Sequence, residues 1–501
     1  MTTRYDKLLV THGGALRRKY GAAGAAQVRA ALDALVVADA GRGLVSKVLL
    51  LDNTTSMRAV KAKPVADGDW VATVKAIDLA CGRYVPSYVA IVGARDVIPQ
   101  ARMRNPFAGI GDDGDPYVPG DLPFACDLPA SWTSTAKGTI DPGDLLAVTR
   151  VVGRIPDLVA ATEPFMLLAA LTTAATYTQR TARSYQHVFA LSATVWKGST
   201  TQSVDLLPGP APTVQLSPPA RSPWTKRELG PRVHFVNCHG GSTTPDWFGQ
   251  SPGGAIDTVA LRPEDVDGRL AEGTIVAAEC CYGAMHFTPS DIGGRVPTMW
   301  AYLRSGGYAA FGSSTTAYGP ADGNGQADLL CRYFLAGVLA GASTGRALLD
   351  ARQQFIRESG SMAPEDLKTI AQFDLLGDPS LQPVTVARGT LAAAPKALAP
   401  QLDLAQRRSL LAASGRALAA VVPRAGRSRS TSTVDGTELA ASVGLRAAQV
   451  VGRARTFGER LPAARSRFSY HVVPVRARGR PGFVVVRDTD GQRDTRTIWS
   501  R

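Results

Sequence analysis

Short apolar runs alternate with stretches of helical periodicity through the first 384 residues. Eight runs of five to seven residues read as strands: 7–11, 47–52, 88–93 and 148–153, then 187–192, 233–238, 274–280 and 308–313. Most are apolar at consecutive rather than alternate positions, as strands covered on both faces are. Between them, 25–37, 163–177, 326–340 and 343–357 carry helical patterns. Such alternation predicts an α/β fold around a mostly parallel sheet. The strand sets fall either side of about residue 160 and predict two α/β subdomains, 1–160 and 161–384, one behind the other. Two stretches break the pattern and read as loops: 105–129, rich in Gly, Pro and Asp, and 208–223, rich in Pro.

Beyond Pro383 the character changes. Residues 385–435 form an Ala/Arg/Pro-rich linker, with a basic helix expected at 402–420 and a flexible segment at 423–433. Order signals return in 436–501, where a helix near 439–454 precedes strands at 468–475 and 483–487 and predicts a small basic α+β module. No internal repeat stands out.

The chain has 501 residues, long enough for two to four domains or subdomains, and its 45% hydrophobic content excludes global disorder. Its net charge of +14 changes the picture once it is located. Residues 386–501 hold 21 Lys/Arg against 7 Asp/Glu, which is the whole excess, so residues 1–385 balance. The basic tail can bind a regulatory protein partner through its acidic groups, or nucleic acid through phosphates. The partner is favoured, because few aromatics interleave with the arginines. No run of eighteen uncharged apolar residues occurs, and the first residues lack the basic region and apolar run of a secretory signal. Neither membrane insertion nor export is therefore expected. Six sparse cysteines (81, 126, 238, 280, 281 and 331), without C-x-x-C spacing, fit free thiols in the cytoplasm.

The chemistry concentrates at two strand ends. In RVHFVNCHGG an apolar strand runs into His239-Gly240-Gly241, and in GTIVAAECCYGA another runs into Cys280-Cys281. Functional groups of parallel sheets collect at the carboxyl ends of strands, so an imidazole and a thiol can meet there. A thiolate is a strong nucleophile, an imidazole can protonate a leaving amine, and glycine N–H groups can hold an oxyanion. The bland alternative is that a buried Cys at a strand end is an inert small hydrophobe.

Other signals are weaker. The G-x-G-x-x-G at 109–114 neither follows a clear strand nor opens a helix, and Pro116 and Pro119 come next. Cys238, His239, Cys280, Cys281 and His286 lack the usual zinc spacing. Asp322, Asn324 and Asp328 offer oxygens for calcium but fall short of an EF-hand loop, and read better as a polar turn before a helix. No metal or other cofactor is expected. Trp247, near the His loop, fits either a substrate pocket or the core.

Several segments, in order, resemble the gingipain-like cysteine peptidases within the wider caspase-like fold. They are YVAIVGARDVIP (88–99), DDGDPYVPGDLPFACD (112–127), VVGRIPD (151–157), the two strand ends, YAAFGSSTTAYGP (308–320) and FDLLGDPSLQP (373–383). The resemblance spans most of 1–384 and implies a three-layer sandwich with a non-catalytic N-terminal and a catalytic second subdomain. It also implies His239 as the catalytic histidine, Cys281 as nucleophile, and the N–H groups of Gly240 and Cys281 as the oxyanion hole. Cys-x-Gly spacing selects Cys281 and Cys-x-x-Gly selects Cys280. The acid-small-Cys order of Glu279-Cys280-Cys281 favours Cys281, and strand alternation lets only one thiol face a site.

The family's acidic pocket residue corresponds to the stretch 194–205, which points to Asp205 and a preference for Arg or Lys. With such a preference, Arg424, Arg427 and Arg429 would be self-cleavage sites. The function implied is a cysteine endopeptidase acting on a specific protein substrate, controlled by a partner. The rival is a caspase-fold scaffold, catalytically subsidiary, whose basic C-terminal region binds a partner protein or nucleic acid.

Overall fold

The computed structural model describes residues 4–127, 138–321, 323–359, 362–385, 434–460, 467–489 and 492–501. The expected basic helix at 402–420, the flexible segment with its three arginines, and Asp322 lie outside these residues.

One ten-stranded sheet runs through the body. Its spatial order is Ser46–Leu50, Lys7–Thr11, Tyr88–Val92, Val152–Ile155, Phe373–Leu376, Ala309–Ser313, Ile275–Ala278, Val233–Asn237, Val188–Ala193 and Val214–Ser217. Neighbours are parallel except Ala309–Ser313 and Phe373–Leu376, which pair antiparallel. The two strand sets are therefore parallel internally, opposed in direction, and fused edge to edge. Phe373–Leu376 is the last of these ten strands in the chain, yet pairs parallel with Val152–Ile155 of the first set. The carboxyl ends of the two sets point to opposite edges of one sheet. His12, at the end of Lys7–Thr11, lies on the other edge from His239, where its Nδ1 accepts from Ala15 N–H and caps a helix.

Two strands differ from the sequence pattern. Val214–Ser217 sits inside the Pro-rich stretch that reads as loop; it pairs on one side only, and a sheet edge tolerates flanking prolines. The strand expected at 148–153 forms instead at Val152–Ile155.

Strand alternation sorts the core. Val233, Phe235, Ile275 and Ala277 join a cluster with Leu330 and Phe334 of helix Gln326–Leu339. Val236, Val276 and Ala278 join another with Met299 and Trp300 of helix Thr298–Arg304. This half is helix, sheet and helix, with the odd positions on one face and the even on the other. Helix Gly13–Gly41 is long and apolar enough to cross a membrane by length and composition alone; in the structure Val28, Leu32 and Leu35 are buried in the core.

The C-terminal region folds as four antiparallel strands, Arg455–Arg460, Arg467–Ala477, Arg480–Thr489 and Gln492–Ser500. A fifth strand, Tyr318–Gly319, comes from the body. Helix Gly436–Ala441 is shorter than the pattern suggests, because Gly444 takes φ 77° and the Leu445 N–H bonds back to Ala440 O, a glycine stop. The sheet rests on the body through Phe483, stacked on Phe107 at 4.5 Å between ring centres, and through pairing of Arg476 with Asp112 and of Arg496 with Glu365 and Asp366.

Candidate active site

The His-bearing strand Val233–Asn237 and the Cys-bearing strand Ile275–Ala278 are direct neighbours with Val236 opposite Ala278. Both chains leave the sheet at the same edge, two residues before His239 and three before Cys281. Gly240 is pressed against the Cys loop: a Cβ there would lie 1.9 Å from Cys281 O, so no side chain fits. His239, Gly240 and Cys281 are thus brought together.

His239 opens the short strand His239–Gly241, which pairs with Thr244–Gly249. Its Nε2 is 3.0 Å from Gln250 Oε1, while Gln250 Nε2 donates to Gly254 O at 2.9 Å. The second bond fixes the amide, so Oε1 accepts from Nε2–H and the lone pair of the neutral ring lies on Nδ1. Burial pushes the imidazole down to about 3; the Gln250 bond opposes this, and the positive Arg480 and Arg501 add to it. The ring centre lies 4.3 Å from that of Trp196.

The two cysteines face apart. Cys280 is fully buried in the cluster of Cys238, Val236 and Met299, and burial pushes its thiol well up. Cys281 faces the cleft, where its Sγ accepts from Ala317 N–H at 3.2 Å and lies 3.6 Å from Ser500 Oγ. Burial pushes this thiol up to about 11, against the opposing bonds from Ser500 and Ala317. Tyr282, next in the chain, takes φ 57°, a conformation uncommon for a non-glycine residue. Its hydroxyl donates to Asp115 Oδ1 at 2.9 Å and lies 3.0 Å from Thr316 Oγ1. Asp113 and Asp115 in turn flank the buried Lys368. The acidic stretch 112–127 therefore supports the Cys loop from beneath.

The cleft holds Trp499 and Ser500, which close the C-terminal strand, and Arg501 after it. Ser500 and Trp499 pair antiparallel with Tyr318 and Gly319. Arg501 N–H donates to Ala317 O at 3.1 Å, and Arg501 O accepts from Cys281 N–H at 3.3 Å. The guanidinium is buried: Nη1 pairs with Glu279, Nη2 reaches Asp328 Oδ2 at 2.7 Å and Pro320 O at 3.1 Å, and the group lies 5.3 Å from the Trp196 ring centre.

Other sequence candidates lie elsewhere. Asp205 is exposed at the end of helix Lys197–Asp205, whose stretch reaches the cleft through Trp196 instead. Trp247 belongs to the core cluster of Trp224 and Leu261. Asp328 pairs with Arg501, Asn324 donates to Ser203, and no cluster of three His, Cys, Asp or Glu side chains suited to a metal occurs among the described residues. Trp196, Gln250 and Arg501 carried no recognisable signal. Glu279 marks register in the acid-small-Cys order of 279–281, which gives no sign of its pairing with Arg501.

No protein-family model and no curated protein matches the chain. Among solved structures, one described as "Structure of Protease" aligns over 100% of this chain and 97% of its own with TM-score 0.46 and 13% identity. A likeness of that size carries no argument about function.

Proposed function

We propose that the chain is a cysteine endopeptidase with Cys281 as nucleophile and His239 as its acid–base partner. The observation that carries this is the seat of a main-chain oxygen: Arg501 O on the Cys281 N–H, after a strand paired to Tyr318–Gly319, beside the Cys281 thiol. A substrate strand in that register offers its carbonyl carbon to the thiolate. The C–S bond forms, and the oxyanion rests on the N–H groups of Cys281 and Gly240. The C–N bond breaks as the imidazolium, whose Nδ1 took up the Cys281 thiol proton when the thiolate formed, passes that proton to the leaving amine. Water then attacks the thioester, giving its proton to His239 and releasing the acid and the thiol.

The test is mass spectrometry of cleavage products from a peptide library, on the full chain and on an Arg501→Ala variant, which removes the guanidinium from the cleft. Products should vanish with Cys281→Ala, persist with Cys280→Ala, and fall by about 10²–10⁴ with His239→Ala. Cleavage surviving Cys281→Ala would overturn the assignment.

A further inference from the structure

Three features of Arg501 exceed an ordinary buried ion pair. Its main chain is bonded on both sides of the residue, N–H to Ala317 O and carbonyl to Cys281 N–H. Its guanidinium sits between two carboxylates, those of Glu279 and Asp328, which have no exposed side-chain surface. The opposite wall is Gly319, where a Cβ would lie 2.2 Å from Nη2, so the pocket is shaped to a planar fork. A compact ammonium on a flexible stem would reach the two acids less completely than this fork does.

We infer that the strand ending at Arg501 is a substrate-like occupant that closes the cleft in cis, and that Glu279 and Asp328 read the arginine of any strand replacing it. The chemistry rests on the cysteine-peptidase reading above; the occupancy does not. Release is local. Trp499 and Ser500 pair with the body, but Gln492 to Trp499 are also paired with Arg480–Thr489, so only Ser500 and Arg501 are held by the cleft alone. Ser500 and Arg501 can leave the cleft while the C-terminal sheet stays folded. A competing substrate is an extended segment that adds antiparallel to Tyr318–Gly319 and carries arginine where its carbonyl meets Cys281. The raised Cys281 thiol fits a site that is silent while covered.

The experiment uses the full chain as wild type, Arg501→Ala and Gly319→Ala. The second variant crowds the guanidinium from the other wall and leaves every charge in place, so it covers a folding failure of the first. One readout is the rate of Cys281 alkylation by iodoacetamide, located by mass spectrometry. The other is hydrolysis of short coumarin amides ending in Arg, Lys or Leu. Alkylation should rise at least tenfold in both variants, and millimolar argininamide should slow it again in Arg501→Ala. In that variant the Arg amide should turn over at least tenfold faster than in wild type and faster than the Lys and Leu amides. Adding Glu279→Gln should raise KM for the Arg amide at least tenfold while leaving alkylation fast. Equal alkylation in all three chains overturns the cis occupancy, whatever the hydrolysis. Fast alkylation with no hydrolysis of any amide keeps the occupancy and removes the peptidase reading. Equal turnover of Arg and Leu amides overturns the reading by Glu279 and Asp328.

Discussion

Two adjacent cysteines with the same covalent chemistry differ here only in which side of a strand end they occupy. Cys280 faces a dry core and Cys281 faces the cleft, so their thiols have different fates. Alternation alone allowed one of the two to face a site, and contacts with Ala317 and Ser500 assign that side to Cys281. Cys280→Ala should therefore lower stability by about 1–2 kcal/mol, from lost apolar burial and a small cavity. It should leave alkylation of the remaining cleft thiol unchanged, which urea unfolding and mass spectrometry would measure side by side. The pH profile of that alkylation has a definite sign. Burial disfavours the thiolate and pushes Cys281 up to about 11, and only the thiolate reacts. In the full chain the rate should keep rising through pH 10, about tenfold per pH unit, with no plateau. In Arg501→Ala, water reaches the sulfur and the plateau should begin near the ordinary thiol value of about 8.5. A plateau near 8.5 in the full chain would show the thiol to be uncovered.

At the scale of elements, the body was legible in the sequence to the extent that burial leaves a mark on composition. Seven of the eight apolar runs coincide with strands of the sheet, and VNCHGG and AAECCYGA revealed their ends because polar residues break apolar runs there. The short edge strand Val214–Ser217 left no such mark. Nor did the insertion of Phe373–Leu376 between the two parallel sets, since order in space is not written in the order of the chain. Glycines were legible as a type but not in their purpose. Gly240 is required because Cys281 O occupies the place of a Cβ. Gly240→Ala should shift the strand ends apart, and a displacement of about 1 Å at a reacting centre lowers turnover about 10²-fold. Arg-amide hydrolysis in the Arg501→Ala background would show this, with the far-ultraviolet spectrum unchanged. The loop 105–115 works by another route. Burial pushes the Asp115 carboxyl up, but the Lys368 charge and bonds from Thr316 and Tyr282 outweigh it and hold the group below the usual range. Lys368→Met would leave Asp113 and Asp115 buried without their cation, a loss of about 3–5 kcal/mol at neutral pH. In the variant burial of Asp115 is no longer offset by the Lys368 charge, so its carboxyl is pushed up relative to the unfolded chain and takes up a proton on folding. The deficit should then shrink as pH falls from 7.5 to 5, which denaturant curves at the two values would measure.

At the scale of the whole molecule, the +14 excess of residues 386–501 first suggests an external acidic partner. In the described residues several of those arginines meet the chain's own acids: Arg476 at Asp112, Arg496 at Glu365 and Asp366, Arg501 at Glu279 and Asp328. Which of these contacts hold the C-terminal sheet is a question of dielectric. Arg476 and Asp112 are both well exposed, so water and salt screen them and the pair contributes at most about 1 kcal/mol. Phe483 is buried against Phe107, with Tyr318 tilted onto both rings at 5.4 and 5.3 Å, so three separate segments share one apolar contact. Tyr318 is also the residue that pairs with Ser500, which links that aromatic contact to occupancy of the cleft. Phe483→Ala should cost about 3–5 kcal/mol of docking, speed amide hydrogen exchange across 480–489 and 492–500, and raise Cys281 alkylation several-fold. Arg476→Ala should change neither readout appreciably, and nor should 1 M salt, because the guanidinium of Arg501 is buried beyond the reach of screening ions. If salt alone exposed Cys281, the sheet would be held by its surface charge and the aromatic contact would be incidental. If Phe483→Ala exposed it and salt did not, the basic composition of the tail would matter at one position above all, the buried arginine that fills the cleft.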